Sequence, residues 1–214
     1  AGTAIAAVEQ EGFGLVRPPG HHAYADRQMG FCLVNNAAVA VRRAQVRAGV
    51  RRALVVDWDA HHGNGTEALF LGDPEVYVLS LHLSPGYPWS GDASERGVGP
   101  GHGATLNVPL PAGTGGAEYR RRFGAALDEA LAAFTPDLVV LSAGLDLLDG
   151  DPEGGLALAP ADLHGLAGDL LARLPAAARG RVAAVLEGGY ALGRIGAGLV
   201  QLLRGLAGLP PAPT

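Results

Sequence analysis

Short apolar runs alternate with longer amphipathic stretches along the whole chain. Residues 53–57, 76–81, 137–143 and 182–186 are nearly continuous runs of Val, Leu and Ala and read as buried strands, with a shorter edge strand at 105–109. Helical spacing of apolar positions marks residues 36–48, 116–134, 160–174 and 192–206, and a short helix-compatible run covers 66–71. Asn35 or Asn36 can cap the first of these and Gly49 can stop it. Residues 1–9 read as the end of an Ala-rich helix, and Pro18 and Pro19 make 17–22 a stiff loop. Apolar strands separated by helices predict a mainly parallel sheet covered on both faces, a three-layer α/β/α sandwich. The pattern holds over 1–209 as one domain, and 210–214 reads as a loose tail.

Composition narrows this without changing it. The 214 residues are 48% hydrophobic and 17% charged, enough to bury a substantial core. Net charge is −5, and no basic block exceeds Arg120-Arg121-Arg122, so direct nucleic-acid binding is not expected. Cys32 is the only cysteine, which excludes an intrachain disulfide and favours a reducing, cytoplasmic setting. No apolar run reaches the length of a membrane span.

The candidate chemistry lies where the strands end. The run Asp57-Trp58-Asp59-Ala60-His61-His62-Gly63-Asn64-Gly65 follows an apolar strand. In extended chain Asp57, Asp59 and His61 share one face. A solvated turn is the plainer account of one Asp-x-His, but not of this density of ligating groups after a buried strand. Ser80 and His82 end a second strand, Asp146 a third and Gly188-Gly189-Tyr190 a fourth, while His21-His22 sits in the stiff loop. In a parallel sheet all four ends fall on one edge, where ligands bind. Two carboxylates and one imidazole (Asp59, His61, Asp146) leave zinc an open position, unlike closed thiolate-rich structural sites. A neighbouring imidazole can move protons and a Tyr hydroxyl can stabilise an oxyanion. These parts describe metal-assisted amide hydrolysis.

The same segments resemble the zinc-dependent histone deacetylase superfamily, which includes acetylpolyamine amidohydrolases and acetoin-utilisation proteins. The matching stretches are Arg-Pro-Pro-Gly-His-His-Ala (17–23), Gly-Phe-Cys-Leu-Val-Asn-Asn (30–36), Val-Asp-Trp-Asp-Ala-His-His-Gly-Asn-Gly-Thr (56–66), Ser-Leu-His (80–82), Asn-Val-Pro-Leu-Pro (107–111), Ser-Ala-Gly-Leu-Asp (142–146) and Glu-Gly-Gly-Tyr (187–190). Asn64 gives the metal motif a class II character. The resemblance implies an arginase/deacetylase-like fold, with zinc on Asp59, His61 and Asp146; ferrous iron can compete for it in the cell. It further implies His22 as general base and acid steadied by Asn64, His21 as an electrostatic partner paired with Asp57, and Tyr190 as the oxyanion donor on the Gly189 hinge. Gly30, Phe31 and Tyr87 would wall an acyl-amine tunnel. Asp57, with main-chain oxygens of Asp59, His61, Ser80 and Leu81, would hold a structural potassium, and a second potassium is expected near Phe70 and Val76. The implied substrate is an acetylated lysine in a protein or an acetylpolyamine; an oligomer is compatible with all of this.

Departures accompany the match. Trp89-Ser90-Gly91 stands where Gly-Thr-Gly is usual, so Trp89 is expected at the rim. Leu145 replaces the usual Phe before Asp146, a change in packing. A first strand and rim loop are expected upstream of residue 1, and without them an exposed sheet edge is expected. His82, Trp58 and Cys32 read as buried structural residues, His102 and His164 as solvated, and Gly97, Gly99, Gly101 and Gly103 as a substrate-side loop. The alternative function is a non-catalytic module that binds metal or acyl-amine. A manganese ureohydrolase would need more Asp ligands than Asp57-Trp58-Asp59-Ala60-His61 provides.

Overall fold

A computed structural model describes residues 1–213. Its elements run α1 (Gly2–Glu9), β1 (Phe13–Gly14), α2 (Asn36–Arg47), β2 (Ala53–Asp57), α3 (Asn64–Phe70), β3 (Val76–Leu83), β4 (Thr105–Leu110), α4 (Gly116–Ala133), β5 (Leu138–Ala143), α5 (Pro160–Arg173), β6 (Val182–Leu186) and α6 (Leu192–Leu206). The six strands form one all-parallel sheet in the order β1-β6-β5-β2-β3-β4. From β2 the chain moves outward to β3 and β4, then returns to β5 on the other side. The β2/β5 boundary is therefore the topological switch point, where such sheets open a crevice beyond their strand ends.

Strand alternation sends side chains into two cores. Leu54, Val56, Leu79 and Leu141 face α4, α5 and α6 together with Phe123, Leu127, Leu163 and Leu170. Ala53, Val55, Val78 and Val140 face α1 and α2 together with Val8, Val41 and Phe70. Both faces of β2 and β5 are buried throughout, which is why their sequences are apolar without a visible period. Trp58 packs into the first core, its ring 6.1 Å from Phe123. Asn35 caps α2 by accepting from the Ala38 amide at 2.9 Å, and Gly49, at φ 66°, follows its end. No helix among the described residues is long and apolar enough to cross a membrane.

Four details differ from the sequence reading. Strand β1 was not expected: two residues beside β6 are too short to show a period. Strand β3 continues to Leu83 because it pairs with β4 as far as Leu83↔Leu110, so His82 lies within a strand rather than ending it. Residues 97–103 are not a substrate-side loop. Val98 N donates to Leu71 O at 2.9 Å and Gly101 packs on the Gly72–Asp73 backbone. That places the segment beyond the C-terminal end of α3, next to where β3 starts and on the opposite edge from the strand ends that carry Asp57 and Asp146. The segment after α6, read as loose, is tied to it: Gln201 exchanges two hydrogen bonds with the Ala212 backbone, each 3.1 Å.

Leu141 is fully buried in the strand beside the switch point. Leu141→Ala is expected to destabilise the protein by about 2–5 kcal/mol in urea unfolding, as transfer and cavity costs add. Val46→Ala, at a position 75% exposed, should stay within about 0.5 kcal/mol. Equal losses would contradict this division of core and surface.

Candidate active site

The ends of β6, β5, β2 and β3, four adjacent strands, carry the unusual polar residues, and the 17–22 loop lies over them. On the side facing α1 to α3 the apolar rows end in a polar one. Asp57 lies opposite Ser80 on one side and Ser142 on the other, and Glu187 follows one residue beyond β6. All four are buried.

Asp59 and His61 leave β2, Asp146 leaves β5, and one ligating atom from each falls within 4.8 Å of the others. His61 Nδ1 lies 3.0 Å from Asp59 Oδ1 and 3.2 Å from Asp146 Oδ2. The remaining carboxylate oxygens are held by backbone amides: Gly188 N donates to Asp59 Oδ2 and Ala60 N to Asp146 Oδ1, both at 2.8 Å. Each carboxylate is thus aimed as well as buried. Gly188 is required here, because a Cβ would collide with both carboxylates. Burial and the Asp59 charge push Asp146 up to about 7. Burial alone would also raise Asp59, but the imidazoles of His21 and His61 hold it well below the carboxylate range. Two buried carboxylates facing one imidazole fit a divalent first-row cation with room for a further ligand.

His21 Nδ1 lies 3.0 Å from Asp57 Oδ2, and its Nε2 lies 3.7 Å from Asp59 Oδ1. Burial pulls this imidazole down, but the Asp59 and Asp57 carboxylates outweigh it and raise the pKa to about 10. His21 is therefore cationic at neutral pH. His22, its ring centroid 4.0 Å from that of His21, is driven the other way: burial and the His21 charge lower it to about 3. Its tautomer follows from its neighbour. Asn64 Nδ2 donates to Tyr24 Oη at 3.0 Å and to Met29 Sδ, which can only accept, at 3.4 Å, so the oxygen Oδ1 faces His22 Nδ1 at 2.7 Å. Nδ1 then carries the proton and Nε2 is the basic nitrogen.

These groups open into a cavity of about 390 Å³, within the usual range of small-molecule sites. Asp59, His61 and Asp146 lie at its buried end with His21, His22 and Tyr190, while Gly30, Phe31 and Tyr87 supply walls. Tyr87 meets His22 edge-on at 5.1 Å, and Phe31 meets Tyr190 at 6.0 Å. Phe31, which lines the cavity, is 68% exposed at φ 64°, and Trp89, which does not, is 79% exposed at φ 58°, both strained backbones. Trp89 packs on Tyr87 at 5.6 Å rather than blocking the entrance. The loop behind them ends on two buried histidines: His62 Nδ1 lies 2.9 Å from Ser90 Oγ, and His82 Nε2 donates to Gly91 O at 3.0 Å. Cys32 is buried and donates to Gly30 O at 3.3 Å, so it supports the wall and does not face substrate.

Not every residue singled out in the sequence lines the cavity. Asn64 stands behind His22, Gly189 shapes the turn into Tyr190 at φ 127°, and Ser80 and Leu81 are buried in β3 beside Asp57. Both Asp57 oxygens take protein donors, His21 Nδ1 and the Asp59 amide. Phe70 and Val76 are buried at the far end of α3. Sequence reasoning missed four residues. Glu153 lines the cavity and is exposed. Asp151 Oδ2 accepts from the Tyr190 and Ala191 amides at 2.7 and 2.8 Å. Arg17 donates to Gly189 O at 2.5 Å, and Glu187 accepts from Gly20 N at 2.6 Å. The motifs containing Arg17 and Glu187 were visible; their contacts, across more than 160 residues, were not.

Comparison with known proteins agrees with this geometry. The histone deacetylase domain family profile matches residues 1–206. Histone deacetylase 14, chloroplastic, of Arabidopsis thaliana is 40% identical over 197 residues, covering 92% of this chain and 47% of that protein. Human polyamine deacetylase HDAC10 is 41% identical over 95% of this chain and 31% of its own length. The chain thus spans less than half the length of these relatives. The solved HDA15 HD domain superposes with a TM-score of 0.89 at 39% identity, covering all of this chain and 60% of that one. With the fold, the order of motifs and the profile match in agreement over nearly its whole length, the chain belongs to the histone deacetylase family.

Proposed function

We propose that this protein is a zinc-dependent amidohydrolase that releases acetate from an acetylated primary amine. The observation that carries the reading is the convergence of Asp59, His61 and Asp146 in one cavity with a neutral His22 and with Tyr190. Bound at those three residues, zinc would lower the pKa of a water toward neutrality and polarise the substrate carbonyl. The chain's own groups account for the proton steps. His22 Nε2 accepts a proton from the attacking water and returns one to the amine nitrogen as the C–N bond breaks. The adjacent His21 cation makes protonated His22 a ready acid. Burial, then the Asp59 and Asp146 charges, hold Tyr190 well above the ordinary tyrosine range, so its hydroxyl stays protonated and donates to the developing oxyanion. Structural potassium at Asp57 and the main-chain oxygens of Asp59, His61, Ser80 and Leu81 belongs to the same proposal.

Within this class the mouth favours an acetylpolyamine over an acetylated protein lysine. The walls of Gly30, Phe31 and Tyr87 suit a slender methylene chain. The exposed Glu153 carboxylate offers a charge, and the Tyr87 ring an aromatic face, to a second, cationic amine.

Asp146→Ala should lose stoichiometric zinc by metal analysis; one zinc retained would remove Asp146 from the ligand set. Tyr190→Phe should keep zinc and lower kcat about 10²–10³-fold, the typical effect of deleting one oxyanion donor. Unchanged turnover in that variant would assign the oxyanion donor elsewhere. Glu153→Leu should lower kcat/KM for an N-acetylated polyamine about 5-fold, as expected for losing one exposed charge pair, while hydrolysis of an acetyl-lysine peptide is spared. Parallel loss on both substrates would refute the polyamine assignment.

A further inference from the structure

Glu187 takes no part in the proton path above and does not line the cavity, yet its carboxylate is fully buried. Oε2 accepts from the Gly20 amide at 2.6 Å and from the His21 amide at 3.1 Å, and Oε1 accepts from Ser142 Oγ at 3.2 Å. A buried carboxylate is costly to desolvate, and an apolar side chain of similar volume would fill the same space at less cost. Its contacts therefore call for a reason other than packing. Other bonds hold the segment's side chains and carbonyls (Asp57 on the His21 ring, Asn64 on the His22 ring, the Thr66 amide on the His21 carbonyl), but it is Glu187 that takes the Gly20 and His21 amides. Residues 17–22 belong to no helix or strand, and Pro18 and Pro19 have no amide to donate. A reciprocal bond runs the other way: Arg17 donates from its side chain to the Gly189 carbonyl, with its guanidinium 5.3 Å above the Tyr190 ring. One side chain from each segment thus grips the backbone of the other, immediately beside the two groups that must act on a single carbonyl.

We infer that Glu187 is a positioning residue, which with Arg17 forms a clasp that sets the spacing between His22 Nε2 and the Tyr190 hydroxyl. The inference rests on the amidohydrolase reading. A misplacement of about 1 Å in such a pair can cost about 10² in rate; the walls that hold the substrate's amine chain stay in place, so the clasp acts on kcat and not on KM, whereas a ligand whose own polar groups reach His22 and Tyr190 feels it in affinity.

The test compares zinc-loaded Glu187→Leu, Glu187→Gln and Arg17→Met with wild type. Leu keeps the volume and removes both acceptors. Gln removes the charge but keeps an oxygen for the Gly20 and His21 amides and an NH2 for Ser142 Oγ. Glu187→Leu is expected to lower kcat about 10–100-fold, the usual range for residues supporting a metal site, with one zinc bound and KM within about 2-fold. Glu187→Gln should rescue most of that loss. Arg17→Met, at an exposed position, should lower kcat about 10-fold with KM again unchanged, and it keeps the test decisive if the Leu variant does not fold. The inference is overturned if Gln falls as far as Leu, if KM carries the change, or if Arg17→Met and Glu187→Leu both match wild type. Should wild type itself show no turnover, the amidohydrolase reading fails, and calorimetry with a zinc-chelating hydroxamate decides the positioning role. Weaker binding by Leu and Arg17→Met, but not by Gln, supports the clasp; equal affinity in all four refutes it.

Discussion

Parallel pairing of β2 with β5 is the constraint on which the site depends. These strands are 85 residues apart in register, Asp57 opposite Ser142, and only their pairing brings Asp146 to Asp59 and His61. The pairing lies at the switch point of the sheet, where the chains leaving β2 and β5 diverge and leave a crevice. Two carboxylates in so dry a place would repel each other. The fold tolerates them because the Gly188 and Ala60 amides satisfy one oxygen of each and His21 and His61 supply imidazoles. A divalent cation would complete that compensation.

The two histidines of the 17–22 loop show how one environment separates like groups. His21 faces Asp57 and Asp59 and becomes cationic; His22 faces Asn64 and the His21 charge and stays neutral. One becomes a fixed charge and the other a proton acceptor, a division of labour that residue type alone does not specify. The difference is set by which strand end each ring meets. The backbone bonds of Glu187 hold the loop that makes those meetings possible.

Much of this was legible in the sequence because burial leaves a strong local signal. The strands β2, β3, β5 and β6 are apolar runs that end in Asp, Ser or Gly, and a parallel sheet must carry those ends to one edge. The contacts of His21 with Asp57 and of His22 with Asn64 followed from the motif match. What was not legible has identifiable causes. Two residues of β1 show no period. Gly97 to Gly103 read as a site loop because glycine freedom does not reveal which sheet edge a loop crosses. Glu153 follows Pro152 in a Gly-rich turn and reads as an ordinary solvated acid. Arg17 and Glu187 stand inside recognisable motifs, but their partners lie more than 160 residues away.

The central claim is that Asp59, His61 and Asp146 form one zinc site at this switch point. X-ray absorption at the zinc edge tests it most directly, on protein loaded with zinc and dialysed. The account predicts one zinc per chain with only nitrogen and oxygen neighbours at about 2.0–2.2 Å and a single imidazole among them. Sulfur ligation, several imidazoles, or no zinc retained at stoichiometry would contradict it.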